Sequence, residues 1–244
     1  MTMMRPRRLA TAVVVASLAL GGLSGCRSEP GVAVYIGSAG HVTEAQVQRV
    51  WDETQDVLEA ASAGAPVRMP IARADVVGLL LTNELYDRVV EQRRVTLPAA
   101  LPYDQVAEQI GLPVSAELTR IYTANLVSRQ YLLENAAAAA GPPADEDLRD
   151  VHRRFADNDV TDQDYATFRS GLQPGDLQEL GATFALRDEL AALVGSLDVK
   201  VSPRYENLEL GLASYTDRNT GRSFPIVTVP FGEPGAEPLV VDVA

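Results

Sequence analysis

The chain has 244 residues, 33 acidic against 21 basic, and a formal net charge of −12. Phosphate binding draws on clustered Lys and Arg that release counterions, and the only lysine is Lys200, so nucleic acid is excluded as a partner and direct adsorption to an anionic membrane is disfavoured. At 46% apolar residues a chain of this length buries roughly 70% of its unfolded surface, which excludes disorder throughout, and the single Cys26 excludes an internal disulfide framework or a cysteine cluster.

The N-terminus reads as an address. Arg5, Arg7 and Arg8 form a basic region, and Leu9 to Gly25 is an uncharged run of small and apolar residues, the pattern of a signal peptide. A plain spanning helix is the alternative, but a run holding Gly21-Gly22 and ending in Ser-Gly suits it poorly. Leu23-Ser24-Gly25-Cys26 resembles the lipobox of bacterial lipoproteins, in which the cysteine thiol carries the diacylglyceryl group. That resemblance implies residues 1–25 as signal peptide, lipidation at Cys26, a short tether over 26–31, and a place on the extracytoplasmic face of the cell membrane. Two acyl chains on one residue hold stably where one does not. The Arg-over-Lys and Ala bias resembles that of high-GC Gram-positive bacteria.

Val32 to Ile36, bounded by glycines, reads as a buried strand. Thr43 with Gln46 three residues on is a capping box, opening a helix along Val47, Val50, Trp51, Leu58 and Ala61 that stops near Gly64. Ile71 to Val95 is a second helix, apolar nearly all round over Val76 to Leu81 and so expected in the core. Tyr103, Val106 and Ile110 mark a third, ended by Gly111. Ser115 is placed to cap a long fourth helix from Leu118 to Ala136, closed by Gly141-Pro142-Pro143. Leu148, Val151, His152 and Phe155 give a fifth, and a sixth is expected to begin at Thr161. Pro174-Gly175 reads as a turn, and Asp176 with Glu179 as the capping box of a seventh that runs to Gly195. The period then changes to two: Val199 and Val201, Leu208 to Leu212, and an edge strand over Ser223 to Phe231 where Pro225 and Pro230 sit. Residues 232–244 read as a loose acidic tail.

Little in the sequence points to chemistry. His152 falls on the apolar stripe of its helix and reads as a hydrogen-bonded boundary residue, and His41 as exposed. Residues 157–168 alternate oxygens like a calcium loop, but Asp162 stands where that loop needs Gly and Phe168 where it needs Glu. Serine-hydrolase, phosphate-loop and dinucleotide motifs are absent from the sequence, and no metal or other cofactor is expected. A glycosidase-like carboxylate pair is defined by spacing in three dimensions, which a sequence leaves open.

The opening Val32-Ala33-Val34-Tyr35-Ile36-Gly37 strand, the Val42-Thr43-Glu44-Ala45-Gln46-Val47 helix start, the buried second helix and the late Val199-Lys200-Val201-Ser202-Pro203-Arg204-Tyr205 segment resemble the chaperone core of the SurA and PrsA foldases. The resemblance covers roughly residues 32–135 and 183–212. It implies a mainly α fold, a multi-helix SurA N-terminal-like core with a small β element, in which the two ends of the chain build one domain. The division it suggests is 32–143 for the first part of the core, 144–181 for a helical insertion, 182–212 for the returning part, and 213–244 for an extended arm and tail. The parvulin isomerase domain usual in that family has no room in the insertion, so isomerase activity is not implied, and Glu206 replaces the glycine that usually follows Arg-Tyr. The function implied is binding of unfolded or extended segments of exported proteins; the candidate groove is Val77, Leu81, Leu85, Leu118, Tyr122 and Leu126, and the alternative is that these faces of the second and fourth helices are simply core. A non-catalytic lipoprotein with one specific envelope partner, and an enzyme or solute-binding lipoprotein, are the alternatives.

Overall fold

A computed structural model describes residues 31–38, 40–63, 67–205, 208–218 and 220–231. Their fold is mainly α, seven helices with a few short antiparallel strands. The signal peptide, the lipobox Leu23, Ser24 and Gly25, Cys26, Glu206 and the tail all lie outside the described residues.

The first sheet joins an early and a late segment of the chain. Strand β1 (Val32–Ile36) is flanked by β2 (Gly40–Thr43), which follows it through a tight turn, and by β3 (Val199–Val201), both antiparallel to it. Val34 faces Val42 on one side and Val201 on the other. In the sequence the residues of β2 look like the lead-in to α1, because four residues ending in a cap carry no period of their own. Gly37 turns β1 into β2 at φ +53°, and a Cβ there would run into the Leu197 carbonyl, so the turn lies against the chain entering β3.

Helix α1 (Glu44–Ala61) opens with the expected capping box: the Gln46 amide donates to Thr43 Oγ1 at 3.0 Å and the Thr43 amide to Gln46 Oε1 at 2.8 Å. It buries Val47 and Val50, while Ala61 is exposed. Helix α2 (Arg73–Arg93) starts two residues later than its apolar run suggests, because Asp75 accepts from the Ala72 amide at 2.6 Å and fixes the first turn. It is the central element: Val76, Val77, Leu81, Leu85, Tyr86 and Val89 are all buried. Helix α3 (Tyr103–Ile110) ends at Gly111 with φ +68°, the left-handed cap expected of a glycine there.

Three helix starts differ from their expected caps. Helix α4 (Glu117–Ala137) is not capped by Ser115; its Glu117 amide donates to Glu53 Oε2 of α1 at 2.7 Å, a cap supplied across the fold. After α5 (Asp145–Asp157), helix α6 (Tyr165–Gly171) begins past Thr161, with Asp164 accepting from the Thr167 amide at 2.9 Å. In α7 (Pro174–Ser196), Asp176 is the third helical residue and accepts from the Gln173 amide at 2.8 Å, with Pro174 at the first position where its missing N–H costs nothing.

Strands β4 (Glu209–Thr216) and β5 (Ser223–Pro230) form a separate two-stranded ribbon, so both prolines of β5 sit on an edge. Leu210, Leu212, Val227, Val229 and Phe231 bury its inner face in the same core as α2 and α7. Two expected boundaries are thereby corrected. The cut at 212/213 falls inside β4, because Ala213 to Thr216 are paired with β5, and the cut at 181/182 falls inside α7. The stretch 144–181 is not set apart either, since Leu148 and Val151 of α5 belong to the common core.

Candidate functional site: two clefts at the start of α2

Two segments far apart in sequence meet beside Gly31. The Glu44 amide donates to the Gly31 carbonyl at 2.9 Å, and the Glu44 side chain meets the 3₁₀ turn Pro203–Tyr205. There the Tyr205 hydroxyl donates to Glu44 Oε2 at 2.8 Å, and Arg204 Nη1 stands 3.6 Å from Glu44 Oε1. Burial, then the hydrogen bond to Glu44 and its charge, push the Tyr205 phenol up to about 12. Next along α1, the Arg73 guanidinium hydrogen-bonds Gln48 and lies 5.1 Å from the centre of the Trp51 ring, a cation–π contact holding the first turn of α2 to α1.

The start of α2 separates two open clefts, and Asp75 lines both. The first, of about 740 Å³, is walled by Trp51 and Gln55 of α1 and by Val67, Met69, Pro70 and Ile71 of the segment leading into α2. Arg68 is exposed at its rim. The second, of about 730 Å³, lies between α5 and the β4–β5 ribbon, with Leu208, Phe224, Pro225 and Tyr205 on one side and Arg153 and Asp157 on the other. Both have the size of a pocket for a small ligand or a few residues of peptide.

The second cleft is rigidly built. Arg154 ties α5 to β5 by donating to Thr228 Oγ1 at 3.1 Å and the Pro225 carbonyl at 3.5 Å, and it donates from Nε to Asp150 at 3.0 Å. Burial alone would raise the Asp150 carboxyl, but hydrogen bonds from Arg154 and Arg153 outweigh it and hold it below the usual carboxylate range. Among the described residues lining the two clefts there is no Ser, Thr, Cys, His or Lys. What the clefts offer is contact area: a ring, a thioether, aliphatic side chains and a few charges at the rim.

The groove expected on α2 and α4 is not there. Val77, Leu81 and Leu85 are 0% exposed and Leu118 2%, so these side chains are core, held by packing with α1, α4, α7 and the strands. Tyr122, 37% exposed, and the half-buried Leu126 remain at the surface of α4. His152 lies at the boundary as expected, donating from Nε2 to the Gln163 carbonyl at 2.7 Å between the rings of Tyr165 and Phe168. His41 is exposed on β2. Among the described residues no three His, Cys, Asp or Glu side chains come together as a metal site, and no helix is long and apolar enough to cross a membrane. The first cleft escaped the sequence reading because Trp51 sits on an apolar helical stripe, where core is the default. Its signal is the run Val67-Arg68-Met69-Pro70-Ile71, apolar residues in a segment with neither helical nor strand period.

No protein-family model, curated protein or solved structure matches the chain.

Proposed function

We propose that the protein is a lipid-anchored, extracytoplasmic lipoprotein that binds unfolded or extended segments of exported proteins, a chaperone-like binding module without prolyl isomerase or other catalytic activity. The observation that carries this reading is the first cleft: solvent-open, walled by Trp51, Val67, Met69, Pro70 and Ile71, and continued past Asp75 by a second cleft of equal size. Aromatic and Met side chains supply large, adaptable apolar contact with low sequence demand, which suits varied extended segments. The Glu44–Tyr205 hydrogen bond also supports it, since it ties together two of the features on which the resemblance to the SurA and PrsA chaperone core rests, the helix start and the late Ser-Pro-Arg-Tyr segment. The anchor is assigned to Cys26 from the Leu23-Ser24-Gly25-Cys26 tetrad, and it keeps the clefts close to where exported chains emerge.

The test is aggregation suppression of an unfolded client by the soluble form lacking the signal peptide, beside an isomerase assay on a proline peptide. Suppression at equimolar amounts without isomerase activity is the expected result. Silence in both assays overturns it and leaves a lipoprotein with one specific envelope partner. For the anchor, fatty-acid labelling in cells is expected to be lost in Cys26→Ala; retained labelling refutes that assignment.

A further inference from the structure

The last described residue, Phe231, adjoins the second cleft. The Phe231 amide donates to the Leu208 carbonyl at 3.4 Å, Leu208 lines the second cleft, and its Cδ1 would lie 3.4 Å from a Cβ on Gly78 of α2. Gly78 is one to two turns along α2 from Arg73, a climb of roughly 7–8 Å at 1.5 Å per residue. From Phe231 the sequence continues as Gly232-Glu233-Pro234-Gly235-Ala236-Glu237 and then Pro238-Leu239-Val240-Val241-Asp242-Val243. The first six residues span up to about 20 Å when extended. Asp75 lines both clefts, so they adjoin, and six residues reach further than that climb along α2 toward Trp51.

The two surfaces also match in kind. Leu239, Val240, Val241 and Val243 are the aliphatic residues an extended segment would set against Trp51, Val67, Met69 and Ile71. Glu237 and Asp242 flank them, while Arg68 and Arg73, exposed on a chain of net charge −12, stand beside the first cleft. Its one carboxylate, Asp75, already accepts from the Ala72 amide. In the second cleft Asp75, Asp157 and Glu209 outnumber Arg153 and Arg154, so an acidic segment is favoured in the first.

We infer that residues 238–243 dock in the Trp51 cleft of the same molecule and act as a built-in competitor that an exported client must displace. The competition rests on the proposed client-binding role of that cleft; the docking does not. A tether this short presents the segment at an effective concentration on the order of millimolar. A segment with an intrinsic Kd of about 0.1 mM then fills the cleft in roughly nine molecules of ten and weakens any competitor about tenfold.

Trp51 is the only tryptophan and reports on the cleft directly. The full chain after the signal peptide is compared with its Val240→Asp/Val241→Asp variant, whose changes fall outside the described residues. The variant is expected to show red-shifted Trp51 emission and about twofold greater iodide quenching, with Tm lower by about 3–6 °C, the contribution of a docked state favoured tenfold. A synthetic peptide of residues 236–244 should reverse both in the variant, and should bind the parent about tenfold more weakly. An Arg68→Glu variant should resemble the double variant. Identical emission and quenching in parent and variant, or equal peptide affinity for the two, overturns the docking. An emission difference that grows with protein concentration also overturns it, since the occupant is then a second copy. A client that binds parent and variant equally refutes the competition and leaves the client-binding role standing; a client that binds neither, with the emission shift present, refutes that role and leaves the docking.

Discussion

Replacing Tyr205 by Phe keeps the ring and removes one hydroxyl, the donor to Glu44 Oε2 at 2.8 Å. The other carboxylate oxygen, Oε1, is buried without a hydrogen-bond donor and has only the Arg204 guanidinium at 3.6 Å. The variant therefore leaves a largely enclosed carboxylate with no hydrogen bond from the 3₁₀ turn. A hydrogen bond to a charged group contributes about 1.5–3 kcal/mol. The Glu44 side chain is 23% exposed, so water replaces part of the loss and the expected cost falls to about 1–2 kcal/mol. For a domain of this size that lowers Tm by roughly 2–8 °C, read by calorimetry or circular dichroism. The pH dependence gives an independent check. The Tyr205 phenol is raised from 10.0 to about 12, so its contribution is complete below pH 10 and disappears as pH rises through about 12. The stability difference between parent and variant should thus be flat up to pH 10 and shrink between 10 and 12. A variant as stable as the parent, or a difference unchanged through pH 12, would refute the Glu44–Tyr205 link as the tie between the start of α1 and the 3₁₀ turn.

Two glycines of α7 should respond oppositely to alanine. A Cβ on Gly181 would overlap the Gly141 carbonyl, so Gly181→Ala is expected to cost about 1–3 kcal/mol, whereas Gly195 meets open space and Gly195→Ala should stabilise by about 0.5–1 kcal/mol in urea melts. Leu81→Ala should cost about 2–5 kcal/mol because the side chain is fully buried, and Tyr122→Ala less than about 1 kcal/mol; comparable small losses in both would contradict the core assignment. Asp150 is held below the usual carboxylate range, so its contribution is present above the unfolded value of about 3.9 and is lost as pH falls through the folded one. The stability gap between parent and Asp150→Asn should therefore close on acidification below about pH 4, and a gap that widens there would contradict the Arg154–Asp150 link.

The helices were legible because their signals are local. The Thr43–Gln46 box, Gly111 and the apolar stripes of α2, α4 and α7 each act within a few residues, and each lies where its residues predict. The helix starts that differed show where local reading stops: the α4 cap comes from Glu53 on another helix, a partner no window around Ser115 contains. The expected groove failed for a related reason. A helix apolar on most sides reads the same whether one side faces solvent or all are packed, and only the arrangement of α1, α4, α7 and the strands around α2 decides that Val77, Leu81 and Leu85 are enclosed. Beyond the aperiodic apolar run Val67 to Ile71 the clefts leave no sequence signal, because their walls come from α1, the approach to α2, α5 and the ribbon, none of which announces its neighbours.

The central claim is that the Trp51 cleft receives extended apolar polypeptide, and a fluorescence titration with a tryptophan-free unfolded client tests it most directly, since every photon of tryptophan emission then comes from Trp51. In the Val240→Asp/Val241→Asp variant, whose cleft is free for the client, the account predicts a saturable blue shift that is lost when Met69→Glu is added. Emission that stays constant while the client is bound, or a shift that survives Met69→Glu undiminished, would contradict it.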